Sequence, residues 1–473
     1  MTAAATAGRT PRLHLVTFGC QMNRYDSELV AERFAARGWA ATDVPDDADV
    51  IAFNTCSVRA HAEDRVYGRL GDAKRLKRQR PGLVVAVLGC QAQREGAELL
   101  KRAPHVDLVV GTREFPRLPE LVERVRRGEG PIVATGEDAE VRVERAARAE
   151  RGPSAFVAVM RGCDLHCSFC IVPTTRGRVR SRSVEDVLDE VRWLVADGVR
   201  EIVLLGQTVN AYGYDLTSPT EAEAMGYRRV LADGGSAVPE YAAVAPSEEV
   251  PRLARLIRRL GAIPGLDRIR LVTNHVAYLD DALIEALAEV PAAMPFLPLP
   301  AQSGSDRILR AMRRGYTKDL YRRRIDRLRA RVPGIELSSD WIVGYPGETD
   351  AEFEQSVALL REIGFAQTFV FRYSPRPATA AHDEPTLPED VVAARNAALL
   401  RAAEDVQAAR WRRYVGTSRP VLVERVDRSG RLVGRTPESL EVAFPGDASL
   451  VGEIVDVEID SAGSFGARGT RAR

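Results

Sequence analysis

The sequence lacks any apolar run long enough to cross a bilayer, and residues 1–12 lack the hydrophobic stretch of a secretion signal. These absences argue against a membrane protein and a secreted protein, so we expect a cytoplasmic protein with no membrane partner. Cysteine is also scarce, with six residues among 473, which excludes a disulfide scaffold. In a reducing compartment such cysteines serve as metal ligands or catalytic groups.

Neither sign of charge dominates the chain, because 67 basic residues balance 66 acidic ones and the formal charge is +1. Whole-chain charge therefore argues neither for nor against a nucleic-acid partner, and any contact with RNA has to be local. Hydrophobic residues at 45% and charged residues at 28% are typical of an ordinary soluble protein. The length is sufficient for about three domains.

Three of the six cysteines, Cys163, Cys167 and Cys170, form a C-x3-C-x2-C loop. Three thiolates leave the fourth position of an iron–sulfur cubane without a protein ligand, so a small molecule can bind there. The alternatives are a zinc knuckle completed by His166 and a redox dithiol of Cys167 and Cys170. We disfavour both, because His166 lies inside the loop beside Cys167 and the dithiol leaves Cys163 without a role.

The other three cysteines lie far apart in the chain, but each follows a short apolar run that predicts a β-strand. The runs are Leu13–Phe18 before Cys20, Val50–Phe53 before Cys56, and Val84–Leu88 before Cys90. Helical patterns follow the runs, so we expect parallel strands and three cysteines that converge at one edge of the sheet. The alternative, three small core cysteines, does not explain this placement. The pattern therefore predicts a second three-cysteine cluster.

The predicted fold class is α/β followed by a small all-β part. Alternating strand and helix patterns predict a doubly wound parallel sheet and then a partial (β/α)6 barrel. Period-two alternation predicts a final barrel of the OB type, a shape often used to hold RNA. The expected segments are a disordered N-terminus (1–11), the doubly wound domain (12–150), the partial barrel (151–385) with an insertion (213–250), a connecting helix (386–414) and the small barrel (415–473).

The central barrel is predicted from six strand patterns with helical patterns between them, among them Lys318–Arg331 and Asp350–Ile363. The strand patterns are Ala155–Met160, Glu201–Leu205, Arg268–Val272, Phe296–Leu299, Glu336–Val343 and Gln367–Phe371. Active sites of such barrels lie at the carboxyl ends of the strands. The polar side chains there that could contact a polar cofactor are Gln207, Asn210, Gln302, Ser303 and Asp340. Taken singly, each is also typical of a turn or cap, and His275 is typical of a satisfied core or loop histidine.

The C-x3-C-x2-C loop resembles that of the radical S-adenosylmethionine (SAM) enzymes, and residues 12–459 closely resemble the methylthiotransferases of that superfamily. The matching blocks include Thr17–Asn23, Asp26–Glu28, Asn54–Arg59, Ala62–Glu63, Gly89–Gln93, Thr175–Gly177, Ser181–Arg182, Gln302–Ser305, Gly344–Thr349 and Tyr373–Pro377. The Gly-Cys-Gln-Met-Asn block is typical of the branch that modifies isopentenylated adenosine in tRNA. The C-terminal barrel is similar to a TRAM domain, which binds RNA in this family.

The resemblance implies a transferase with two [4Fe-4S] clusters, one on each cysteine triad. One SAM would donate a methyl group to sulfur at the Cys20, Cys56 and Cys90 cluster, and another would yield a radical at the other cluster. The radical would take hydrogen from C2 of N6-isopentenyladenosine beside the anticodon, where the methylthio group is then attached. A monomer that binds the tRNA anticodon stem-loop and takes electrons from a flavodoxin or ferredoxin is also implied.

Three features depart from the family pattern. Arg161 stands where an acid is usual, Asn274 and Val276 interrupt a common Ser-His-Pro block, and the insertion is unusual. Two other methylthiotransferase substrates therefore stay open, namely threonylcarbamoyl-adenosine in tRNA and a ribosomal protein. The alternative from a different class is a zinc-containing RNA-binding protein.

Overall fold

The computed structural model describes residues 9–57, 60–136, 152–216 and 252–472. The chain divides into two compact units: Met1–Arg151 with Ile171–Arg178, and Gly152–Cys170 with Val179–Arg473. Most of the N-terminus expected to be disordered and most of the predicted insertion lie outside the described residues. Among the helices that are described, none is both long and apolar enough to span a membrane.

The first unit contains a six-stranded sheet whose paired neighbours are all parallel. The strands are β1 (Arg12–Thr17), β2 (Ala40–Ala41), β3 (Val50–Thr55), β4 (Val84–Gly89), β5 (Leu108–Val110) and β6 (Ile132–Ala134), in the order β2-β1-β3-β4-β5-β6. The helices are α1 (Gln21–Ala35), α2 (Ala60–Gln79), α3 (Cys90–Glu95), α4 (Ala97–Arg102), α5 (Leu118–Arg126) and α6 (Val172–Arg176). The strand order reverses between β1 and β3, and doubly wound sheets bind their ligands at the carboxyl edge of such a point.

Helices cover both faces of this sheet, and β3 and β4 are therefore buried along their whole length. Successive side chains of a strand point to opposite faces. Ile51 accordingly joins a core with Leu70 of α2, whereas Val50 joins a second core with Phe34 of α1. Each large apolar side chain buried in this way stabilises the fold by about 1.5–3 kcal/mol. The predicted doubly wound parallel sheet is confirmed.

The second unit begins with six parallel strands in two sheets of three, ordered β7-β10-β11 and β12-β13-β14. They are β7 (Ser154–Ala158), β10 (Glu201–Leu205), β11 (Arg268–Leu271), β12 (Phe296–Pro298), β13 (Glu336–Val343) and β14 (Gln367–Arg372), with a short antiparallel pair of β8 (Met160–Arg161) and β9 (Arg180–Ser181). A parallel bridge from Ile269 to Ala293, just before β12, links the two sheets. The predicted partial barrel is therefore confirmed.

One predicted strand of the barrel, Ala155–Met160, is divided at Val159. The Val159 amide donates to the carbonyl of Leu205 at 3.0 Å, while its own carbonyl accepts from the amide of Arg182 at 2.9 Å. The chain changes pairing partner here, from β10 to β9. This change turns it into the loop that carries Cys163, Cys167 and Cys170.

Six helices of the barrel are described, and five of them begin at side-chain caps that are readable in the sequence. The six are α7 (Val184–Ala196), α8 (Leu253–Gly261), α9 (Asp281–Glu289), α10 (Asp306–Ala311), α11 (Lys318–Arg331) and α12 (Asp350–Ile363). Thr349 and Glu352 form a capping box at the start of α12, in which each side chain accepts from the other residue's backbone amide. Ser183, Asp280, Ser305 and Thr317 cap α7, α9, α10 and α11. Such caps stabilise a helix start by about 1 kcal/mol.

The chain ends in a closed five-stranded barrel that follows a long helix, α13 (Glu389–Arg412). The strands are β15 (Ser418–Val426), β16 (Leu432–Arg435), β17 (Glu441–Phe444), β18 (Ile454–Gly463) and β19 (Gly466–Arg471). The predicted barrel is confirmed, and four of its five strands coincide with period-two patterns of the sequence, at Pro420–Val426, Arg431–Val433, Leu440–Phe444 and Ile454–Ile459. β19 has the sequence Gly-Ala-Arg-Gly-Thr-Arg, which lacks apolar alternation, yet it closes the barrel by pairing with β17 and β18.

Candidate functional site

The three cysteines of the first unit lie at the carboxyl ends of neighbouring strands. Cys20 is the N-cap of α1, Cys56 directly follows β3, and Cys90 is the first residue of α3. The turn that carries Cys20 packs against Cys56, since a Cβ atom on Gly19 would lie 3.0 Å from Cys56 Sγ, and β3, which Cys56 follows, pairs with β4, which ends just before Cys90. Residues separated by more than about thirty positions in the chain are thus brought together, as expected for one edge of a parallel sheet.

Two glycines let the backbone turn tightly at this edge. Gly19 and Gly89 have φ angles of 115° and 95°, in the region that disfavours other residues. A Cβ atom on Gly19 would lie 2.5 Å from Cβ of Cys56, and one on Gly89 would lie 2.5 Å from Oδ1 of Asn54. No larger side chain fits at either position without displacing the cysteine or its neighbours.

A buried amide pair ties the cysteine-bearing turns to each other. Asn23 Nδ2 donates to the Thr55 carbonyl at 3.0 Å, and Asn54 Nδ2 donates to the Asn23 carbonyl at 2.9 Å. Both asparagines are fully buried. Asn23 Oδ1 also accepts from Cys20 Sγ at 3.2 Å. Both side-chain amides, of Asn23 and of Asn54, have hydrogen-bond partners, so the network holds the turn after β1 against the turn after β3.

A buried ion pair stands beside these cysteines, and the sequence analysis did not identify it. Arg176 donates to Asp26 at 2.9 Å, and the two side chains are 5% and 0% exposed. Burial opposes the charged guanidinium, but the charges of Cys90, Asp26 and Cys20 together raise the pKa of Arg176 above its ordinary value. Both residues lie within blocks of the family resemblance. Their pairing was hidden because they are 150 positions apart in the chain.

The surroundings shift the pKa values of two thiols of this triad in opposite directions. The hydrogen bond with Cys56, assisted by the charge of Arg176, lowers the pKa of Cys20 to about 5 against the effect of its burial. Burial raises the pKa of Cys90, and the charge of Arg176 opposes that shift. The arginine therefore favours the thiolate form, which is the form that binds metals.

The second unit holds the C-x3-C-x2-C cysteines in the loop after β8. Cys163 and Cys167 are buried and Cys170 is half-buried. Cys163 Sγ lies 3.4 Å from Oγ1 of Thr208, and burial raises the pKa of Cys163 to about 11. Arg314 donates from Nη1 to Cys167 Sγ at 3.2 Å. This arginine, too, is a site residue that the sequence analysis missed.

Ser168 anchors the cysteine loop to the end of α10. Its amide donates to the Met312 carbonyl at 3.1 Å, and its hydroxyl donates to the Ala311 carbonyl at 2.8 Å. The Tyr345 hydroxyl lies 2.8 Å from the same Ser168 oxygen. These contacts hold Cys167 in place beside Arg314.

The donor set of each triad fits an iron–sulfur cluster, which is held by cysteine thiolates. His166, which could complete a zinc knuckle, is exposed while Cys163 and Cys167 are buried. In the part of the chain that the structure describes, no group of three or more His, Cys, Asp or Glu side chains is arranged to hold one metal ion. A cubane differs from one ion because each of its irons takes a separate thiolate.

Four of the predicted cofactor contacts, Gln207, Asn210, Gln302 and Ser303, follow the carboxyl ends of strands, whereas Asp340 lies within β13, three residues before its end. Gln207 has a buried Oε1 without a hydrogen-bond partner. Both amide atoms of Asn210 contact the His275 backbone, at 2.8 and 2.9 Å. Ser303 Oγ lies 3.4 Å from Ser356 Oγ and accepts from the Ser305 amide. Gln302 has a positive φ of 65°, and its backbone amide donates to the backbone carbonyl of Asp340 on β13.

Asn274 and His275 follow β11. Asn274 Oδ1 is buried without a hydrogen bond, whereas the His275 ring faces the Arg314 backbone. The Ala277 amide donates to His275 Nδ1 at 3.2 Å, and burial holds the pKa of His275 well below its ordinary range. The imidazole is therefore neutral with its hydrogen on Nε2. Asn274 Oδ1 and, at the end of the adjacent strand, Gln207 Oε1 offer two acceptors to a polar ligand.

Comparison with known proteins identifies three segments. Residues 12–111 match the family described as "Uncharacterized protein family UPF0004", residues 157–360 match the "Radical SAM superfamily", and residues 412–470 match the "TRAM domain". A structure of the radical SAM methyltransferase TsrM from Kitasatospora setae, with cobalamin and a [4Fe-4S] cluster bound, is similar in fold. Its TM-score is 0.51 at 16% identity, over 79% of this chain and 77% of that one. By fold and sequence, the chain is a radical SAM protein with a TRAM domain.

Curated relatives show to which family of radical SAM proteins the chain belongs. The tRNA-2-methylthio-N(6)-dimethylallyladenosine synthase of Maricaulis maris (strain MCS10) is 41% identical over 459 residues, covering 95% of each chain. The synthase of the same name from Bordetella bronchiseptica is 41% identical over 476 residues, covering 99% of this chain and 94% of that one. The chain belongs to the family of tRNA-2-methylthio-N(6)-dimethylallyladenosine synthases. The predicted resemblance is confirmed.

Proposed function

We propose that this protein is a tRNA methylthiotransferase that adds a methylthio group to C2 of N6-isopentenyladenosine next to the anticodon. The observation that carries the proposal is the pair of three-cysteine sites, one at the carboxyl ends of parallel strands in the first unit and one in the loop after β8, in a chain 41% identical to synthases of that name over nearly its whole length. The proposal includes a cytoplasmic location, where tRNA is modified.

The cofactors in this proposal are SAM and two [4Fe-4S] clusters, one held by Cys163, Cys167 and Cys170 and one by Cys20, Cys56 and Cys90. When bound, they supply a methyl donor, a radical source and the sulfur to be transferred. Three thiols in each triad support this assignment, since each set leaves one iron open to a small molecule.

The side chains of the barrel bind and orient the SAM molecule in this proposal. Gln207 and Asn274 present buried polar atoms without partners, which support a contact with a polar ligand. Gln302, which follows β12, and Asp340, within β13, remain predicted contacts. The amide of Asn210 and the hydroxyl of Ser303 have protein partners, so we propose that they position the loops that carry the other groups.

The proposed partner is the anticodon stem-loop of tRNA, bound with the help of the C-terminal barrel, which matches the TRAM domain. Reading a base of this loop requires that it leave the stack. We further propose a monomer that takes electrons from a flavodoxin or ferredoxin. The proposed domains are 12–150, 151–385 with the insertion, 386–414 and 415–473, with Ile171–Arg178 counted in the first compact unit.

The proposed substrate is tested by mass spectrometry of tRNA nucleosides from cells that lack the gene. We expect the 2-methylthio nucleoside to disappear and N6-isopentenyladenosine to accumulate in its place, because only the final modification is blocked. Re-expression of the chain is the control and should restore the product. Loss of the methylthio group from threonylcarbamoyl-adenosine or from a ribosomal protein, with this nucleoside unchanged, would instead support one of the other substrates.

A metal assay on an anaerobic preparation tests the two-cluster assignment. We expect about eight irons per chain, because two cubanes contain four irons each. Variants that lack all three cysteines of one triad should retain about four. Stoichiometric zinc with little iron would contradict the proposal and favour a zinc-containing RNA-binding protein.

A further inference from the structure

Each cysteine triad has one buried arginine beside it, but the two arginines differ in their counter-charges. Arg176 has a carboxylate partner, Asp26, at 2.9 Å. Arg314 donates to Cys167 Sγ, to the Tyr316 hydroxyl at 3.2 Å and to the Pro300 carbonyl at 3.5 Å. Among the described residues no carboxylate pairs with Arg314. The first arginine is therefore neutralised by its neighbour, whereas the second is not.

A buried cation without a carboxylate is costly unless another negative group lies next to it. Only 7% of Arg314 is exposed, so water does not screen its charge effectively. Its hydrogen-bonded neighbour is a cysteine that we assign as a cluster ligand. The Tyr316 hydroxyl donates to the Ala301 carbonyl at 3.0 Å, which fixes the tyrosine and, through it, the guanidinium. The charge is thus held in place before any cluster is reduced.

The charge next to a cluster affects how easily the cluster accepts an electron. Three thiolates outweigh the positive charge of the iron–sulfur core, so the cluster is an anion and becomes more negative on reduction. A nearby cation stabilises the reduced form more than the oxidised form, and burial strengthens this effect because the local dielectric constant is low. A neutral arginine–aspartate pair has a much smaller effect.

We propose that Arg314 makes the cluster of the Cys163, Cys167 and Cys170 triad the easier of the two to reduce. Asp26 neutralises Arg176, so the reduced form of the other cluster is not stabilised in the same way. This inference rests on the proposed function, since it assumes a cluster on each triad. It assigns both residues as electrostatic positioning residues that direct the incoming electron to the SAM-binding cluster.

The test uses two full-length proteins, each with the three cysteines of one triad replaced by alanine, so that one cluster is measured at a time. Dithionite supplies the electron, and electron paramagnetic resonance reports the reduced fraction at set potentials. Arg314→Gln should lower the ratio of reduced to oxidised cluster about tenfold, which is 59 mV for one electron. Asp26→Asn should raise the ratio for the other cluster by a similar factor, since Arg176 is then unopposed.

Two further variants serve as controls. Arg314→Lys keeps the charge and should leave the midpoint close to that of the parent. Arg395→Gln removes another buried arginine, which is 7% exposed and pairs with Glu348 at 2.7 Å and with Asp350. It should change neither midpoint. If Arg314→Gln takes up no iron, an unchanged midpoint in Asp26→Asn is sufficient to overturn the inference, and the predicted rise supports it.

The outcomes separate this inference from the function on which it rests. Absence of iron from either single-triad protein overturns the two-cluster assignment and the inference with it. Iron retained at about four per chain, with midpoints that do not move in Arg314→Gln and Asp26→Asn, overturns the inference alone. Shifts of opposite sign in the two proteins support it.

Discussion

Replacing Cys167 by alanine is expected to reduce SAM cleavage more than about a hundredfold. The substitution removes one of three thiolates at the proposed radical-generating cluster and also the sulfur that accepts from Arg314. Changes outside the ligand shell of a metal site already cost about 10–100-fold, so the loss of a ligand should cost more. The measurement is formation of 5′-deoxyadenosine per chain with dithionite as reductant.

Iron content distinguishes a local effect of Cys167→Ala from general unfolding. The first unit keeps its own three cysteines, so the variant should still contain about four irons per chain. SAM cleavage at the parent rate in a variant with this iron content would refute the assignment of Cys167 as a cluster ligand.

Replacing Cys56 by alanine is expected to have a different effect, because this residue belongs to the other triad. Methylthio product should fall more than about a hundredfold, while SAM cleavage stays within about twofold of the parent. Cys56 is 1% exposed, and removing a group of its size from a core costs about 1 kcal/mol. A domain stable by about 5–15 kcal/mol should therefore still fold. Mass spectrometry of the tRNA substrate measures the product.

The two cysteine variants act as controls for each other. Each should retain about four irons per chain, and each should lose a different partial reaction. Product formation at the parent level in Cys56→Ala would remove the first triad from the mechanism. A loss of SAM cleavage in the same variant would show that the two triads do not have separate roles.

Several elements of the fold were predictable to the residue from local patterns. β10 (Glu201–Leu205), β13 (Glu336–Val343), α11 (Lys318–Arg331) and α12 (Asp350–Ile363) begin and end where the patterns place them. Their apolar periodicity and caps agree, so local and tertiary preferences point to the same boundaries. β19 differs because two glycines and two arginines leave no apolar alternation, and its strand conformation depends on pairing with β17 and β18.

The candidate site, too, was predictable from the sequence only in part. The meeting of Cys20, Cys56 and Cys90 was predictable, because strands in repeated βα units end at one edge of a sheet. The arginines were not, since Arg176 meets Asp26 150 positions away and Arg314 meets Cys167 147 positions away. Nothing in the local sequence marks a side chain as the partner of one so distant.

The sequence by itself determined the three-part architecture, the six cysteines and their division into two triads, because strand periodicity and cysteine spacing are local properties of the chain. Tertiary structure alone decided which charges lie beside the thiols and which buried polar atoms are left without partners. Those depend on how side chains from distant segments share a low-dielectric interior, where a single carboxylate, present beside Arg176 and absent beside Arg314, changes the balance of charge.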